Sequence, residues 1–112
     1  RRAILAREQV LLEHRQALER IKDDISSALT SFTTEQQIWQ AAEARGEVEK
    51  RKFEAEWRRY REGRSSTANL IQFEGDLLAA EVDASRSRIL LLLAEKQLTW
   101  AQGSLLQEFG LG

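Results

Sequence analysis

The chain has 112 residues, with no cysteine, no proline, six glycines, 42% apolar and 31% charged residues, and a formal net charge of -1. Interspersed charges that nearly cancel exclude the basic footprint of a nucleic-acid binder, and the lack of cysteine excludes a disulfide framework or a thiolate metal site. A mean hydropathy of -0.49 fits one domain with a thin core, and the longest strictly apolar run, Ile89 to Ala94, is far short of the roughly 20 residues a membrane-spanning helix needs.

An average sequence of this length carries about five prolines, so their absence permits long uninterrupted helices. The start at Arg1-Arg2 and the lack of methionine imply a mature piece or a segment of a longer protein. From there, apolar residues recur every seven positions as Ile4, Leu11, Leu18, Ile25, Phe32, Trp39, then Gly46, Phe53 and Tyr60, a heptad seam. A second seam three residues on is weaker, holding Ile21, Ala28 and Ala42 but also His14, Glu35, Glu49 and Glu56. These positions predict one helix over residues 3–61, about 88 Å long at 1.5 Å per residue. The run from Ser26 to Thr34 favours caps and turns over helix interiors, which makes it the place where a kink is expected, although the seam keeps its period through it.

Arg61-Glu62-Gly63-Arg64-Ser65-Ser66-Thr67 is the strong turn of the chain, with glycine to close one helix and a hydroxyl residue to open the next. It places a tip at 62–66 and a second helix at 67–102. There the period restarts as Leu70, Leu77, Ala84, Leu91, Leu98 and Leu105, with Phe73, Ala80, Ser87, Ala94 and Ala101 beside them. Gly103 marks where this helix weakens, and residues 103–112, closing on Gly110-Leu111-Gly112, form a tail. A short connection makes neighbouring helices antiparallel. Folding back at the turn sets Tyr60 against Leu70, Phe53 against Leu77, Gly46 against Ala84 and Trp39 against Leu91. The expected fold is therefore all-α, a long antiparallel coiled-coil hairpin, in which Gly46 faces a small residue so that the backbones approach.

Candidate chemistry is sparse. His14 has no second histidine or Glu-x-x-His partner to build a metal site, and neither a nucleophile with its base nor a phosphate loop is present. No enzyme activity, metal or cofactor is expected. Carboxylates lie at helix spacing from bases, such as Glu49 with Lys52. Trp39 belongs to the seam, whereas Trp57 is off it and suits contact with a neighbouring helix. Ile71, Leu78, Leu92 and Leu106 recur as a second apolar edge, wider than one partner helix covers.

The stretch from Phe53 to Gly103 carries Tyr60-Arg61-Glu62-Gly63, then Ser66-Thr67-Ala68-Asn69-Leu70-Ile71, Leu77-Leu78-Ala79-Ala80, and Leu98 to Gly103 followed by Leu105-Leu106. In this order of a Tyr-x-x-Gly turn, an aliphatic pair, an alanine-rich helix and a closing glycine, it resembles the outer membrane efflux protein family, the TolC-like exit ducts of Gram-negative bacteria. The resemblance implies a periplasmic hairpin in a homotrimer whose helices form a hollow barrel. Its tip, with Tyr60, Gly63, Arg64, Ser65, Ser66 and Thr67, would meet the helical hairpins of a periplasmic adaptor protein. Asn69 and Gln72 would line the channel near the tip, although Asn69 stands where relatives often have an acidic residue, and the family's β-strands are absent from this sequence. The competing readings are the hairpin of an adaptor itself, whose Arg, Leu and Ser order Arg64-Ser65-Ser66 does not supply, and an amphipathic helix on a membrane surface, whose polar face should be rich in lysine and arginine alone.

Overall fold

A computed structural model describes residues 1–108 and 110, and in it the chain is an all-α helical hairpin. Helix α1 spans Arg2–Arg61 and helix α2 spans Thr67–Glu108, with no strand among the described residues. Contacts divide the chain into two units, one of Thr34–Leu92 and one of Arg1–Thr33 with the chain from Leu93 onward.

Helix α1 is built from good helix formers and interrupted by neither proline nor a break. The Ser26 to Thr34 run is helical throughout. Thr30 and Thr33 donate their hydroxyls to the carbonyls of Ser26 and Leu29 at 3.0 Å, so the side chains that compete for the backbone are satisfied inside the helix. Helix α2 also runs past its expected end at residue 102, because Gly103 keeps helical backbone and the helix continues to Glu108. Gly110 then takes a φ of 70°, while Leu111 and Gly112 lie outside the described residues.

In the Thr34–Leu92 unit, the deepest residues are Ala42, Glu56, Leu70, Ala80 and Ser87. Trp39, Phe53, Leu77 and Ala84 are half-buried. The seam that was weaker in the sequence is thus the inner one, since small side chains let two helices close on each other while large ones are displaced to the edges of the contact. Ala80 is only 1% exposed. The helices are joined by an Arg45–Asp83 ion pair at 3.9 Å between half-exposed side chains, a weak contact by its exposure. Polar atoms at the contact carry a cost: Glu35 Oε2 of the inner seam and Trp39 Nε1 beside it, one turn apart, are buried and make no hydrogen bond within the chain.

Gly46 and Ala84 line one groove with Glu47 and Glu81, as the fold-back register requires. The expected reason for the glycine fails, however. A Cβ added at Gly46 meets no atom within 4 Å, so the backbones do not need a glycine to approach.

In the other unit, Ala94 is buried, and Ile21, Ile25, Ala28, Phe32, Leu98, Ala101 and Leu105 are half-buried. Ala28 and Ala101 line one shallow groove. Residues 1–16 are all exposed, including the seam positions Ile4 at 64% and Leu11 at 63%. The returning segment Leu93–Glu108 has too few turns to cover residues 2–33, and the heptad seam of α1 is used only from Leu18 to Phe53.

Two expectations follow. Gly46→Ala should stabilise the chain by up to about 1 kcal/mol, because helix propensity rises with no steric penalty, and chemical denaturation measures it. Ala80→Leu should instead destabilise by about 1 to 3 kcal/mol through overpacking; an unchanged denaturation midpoint would remove Ala80 from the contact between the helices.

Candidate functional site: the hairpin tip

Residues 62–66 reverse the chain between two helix caps. The last turn of α1 holds Arg58, Arg59 and Arg61, whose charges suit the negative end of the helix dipole. The Glu62 amide still bonds the Arg58 carbonyl at 3.1 Å, but the Gly63 amide turns to Tyr60 at 3.1 Å and the Arg64 amide to Arg59 at 2.8 Å. With Gly63 at a φ of 76°, this is a Schellman motif, in which glycine takes the left-handed position that L-residues resist.

The next helix opens almost at once. Ser66 is its N-cap: the Asn69 amide donates to Ser66 Oγ at 3.2 Å, and the Leu70 amide to the Ser66 carbonyl at 3.1 Å. Between Arg64 of the first cap and Ser66 of the second stands Ser65 alone. Its hydroxyl donates to Glu56 Oε1, two turns back along α1. Glu56 is buried at 5% exposure, and its other oxygen faces Arg59 Nη1 at 3.5 Å. Arg59 Nη2 in turn reaches the Arg64 carbonyl at 3.5 Å.

The remaining expected tip residues fall around this frame. Tyr60 is 37% exposed. It stacks on Trp57, three residues back, with ring centroids 6.0 Å apart and planes at 23°. Its hydroxyl accepts from Thr67 Oγ1 at 3.5 Å, and both rings stay partly open to solvent. Leu70 is buried. The Arg64 side chain is 72% exposed and pairs loosely with Glu62 at 3.4 Å. Thr67, Asn69 and Gln72 are exposed in the first turns of α2. Sequence reasoning gathered Tyr60, Gly63, Arg64, Ser65, Ser66 and Thr67 into one tip, which the structure brings together, but missed Glu56, Arg59 and Trp57. The one signal for Glu56 was a carboxylate at a seam position next to the turn, which reads first as a weakness of the seam.

Among the described residues, no group of three His, Asp or Glu side chains converges on a metal position, and no helix is long and apolar enough to cross a membrane. Arg61 and Arg64 are exposed at the tip, as is the stacked pair of Trp57 and Tyr60. Fold and site together define a helical hairpin with a doubly capped tip. No protein-family model matches the chain, and no curated protein or solved structure matches it.

Because a Cβ at Gly63 meets no atom within 4 Å, the cost of replacing it is conformational. Gly63→Ala should lower stability by about 1 to 2 kcal/mol, and Gly63→Asn by less, since asparagine tolerates the left-handed region. Urea denaturation of both variants checks the order; a greater loss for asparagine points to a steric cause.

Proposed function

We propose that this chain is the periplasmic coiled-coil hairpin of a TolC-like outer membrane export duct, and that it docks through its tip onto a periplasmic adaptor protein. The observation that carries this reading is the tip itself. Both helix ends are satisfied by the chain's own caps, so the exposed side chains around them are available to a partner in one fixed geometry. A merely connecting loop needs no such order.

The sides of the hairpin support the same reading. In the Thr34–Leu92 unit, α2 leaves Ile71, Leu78, Val82 and Ile89 largely exposed, and these lie on one face, away from its seam with α1. A helix apolar on two faces belongs between neighbours, as it would in a barrel of hairpins formed by a homotrimer. In this reading the chain is not an enzyme and uses no cofactor, and Asn69 and Gln72 lie near the channel mouth. An adaptor's own hairpin is the second reading, because it would share the coiled-coil seam; the turn residues Tyr60 and Gly63 favour the duct.

The test is Arg64→Glu and Gly63→Trp, each introduced into the protein in its cell, with trimer formation and cross-linking to the adaptor measured together. Intact trimers with at least tenfold weaker cross-linking are expected for both. Unchanged cross-linking and export in both variants would remove the tip as the docking end.

A further inference from the structure

The inner seam of the Thr34–Leu92 unit carries one charged residue among its buried positions, Glu56. Withdrawing a carboxylate from water is costly even when it is paired, and an apolar residue of similar size often serves stability better. Packing alone therefore gives no reason for glutamate here. Its two oxygens show what it does. Oε1 accepts from the Ser65 hydroxyl and Oε2 faces the Arg59 guanidinium at 3.5 Å, and that guanidinium extends to the Arg64 carbonyl at 3.5 Å. The carboxylate is thus tied to both sides of the turn: through Arg59 to the last residue of the α1 cap, and through Ser65 to the residue preceding the α2 cap.

Ser65 is the position at which this matters. The Schellman motif fixes the chain up to Arg64, and the Ser66 cap fixes it from Ser66 onward. The relative direction of the two caps depends on the residue between them, and its hydroxyl is held by a buried acceptor rather than by solvent. Charge-assisted hydrogen bonds of this kind are about twice as strong as neutral ones.

We propose that Glu56 is a positioning residue for the tip, acting as a clasp on Ser65 and Arg59 that sets the direction in which Arg64 and Ser66 are presented to a partner. The role in presentation rests on the docking function proposed above, whereas the clasp itself does not. Glu56 touches no partner. It acts entirely through the turn.

Amide hydrogen exchange on the chain separates the possibilities. Ser65→Ala and Glu56→Ala should each raise exchange at Arg64 and Asn69 by about tenfold or more, while Ala80 and Ser87 keep their protection. The double variant should add little to either single one, and Ser65→Thr, which retains the hydroxyl, should restore the slow exchange. Unaltered exchange at Arg64 and Asn69, or an equal rise at Ala80, overturns the clasp. Adaptor cross-linking of Ser65→Ala then tests presentation: its loss together with a loosened tip supports the proposal, and its retention overturns it. Arg64→Glu distinguishes the two readings, because lost cross-linking with slow tip exchange leaves the docking function standing while that of Ser65→Ala is decided separately.

Discussion

Reversal of the chain over residues 62–66 is the constraint on which the hairpin depends. Each helix end exposes backbone groups with no partner in its own helix, and at this turn both ends occur within a few residues. Gly63 resolves the first by adopting a φ of 76°, which redirects two amides to carbonyls of the last turn. Ser66 resolves the second with its hydroxyl. Because the two motifs nearly overlap, no flexible linker intervenes and the register of one helix against the other is established at the tip.

Behind the tip, the contact between the helices is organised by size rather than by hydrophobicity. Alanine and serine at 42, 80 and 87 lie deepest together with Glu56 and Leu70, and the larger Trp39, Phe53 and Leu77 lie half-covered. This explains how a sequence of low mean hydropathy makes a long contact: little apolar area is hidden per turn, but the contact repeats every seven residues. It also explains why glutamates are accepted on the inner seam. Glu49 is held there with its side chain 15% exposed and its carboxylate 3.7 Å from the Lys52 ammonium. Glu35 and Trp39 show the limit, since each keeps a buried polar atom without a hydrogen bond. They are the places where the contact is least well satisfied.

The two helices differ in what they leave outside. In the Thr34–Leu92 unit, the outward residues of α1 are mostly polar or charged but include Ile38, Val48 and Trp57, and those of α2 include Ile71, Leu78, Val82 and Ile89. The apolar stripe is the more continuous on α2. The proposed assembly, with α2 packed between helices, would cover that stripe.

The sequence by itself determined the helices, the place of the turn and the presence of two seven-residue seams, because each rests on local rules: no proline, glycine before a run of hydroxyl residues, and apolar spacing at 3.5. It also brought the tip residues 60 and 63–67 into one region. It did not determine which seam would be inner, since that depends on how closely two backbones approach, and it ranked Phe53 and Trp39 above Ala42 for size and apolarity. Tyr60 looked like the last rung of the seam; that it also stacks on Trp57 was not legible in the spacing. Gly46 looked like a point of close approach and is not one. Glu56 looked like a flaw in the repeat; only its meeting with Ser65, nine residues away and across the turn, gives it a role, and such a meeting exists only after the chain has folded back.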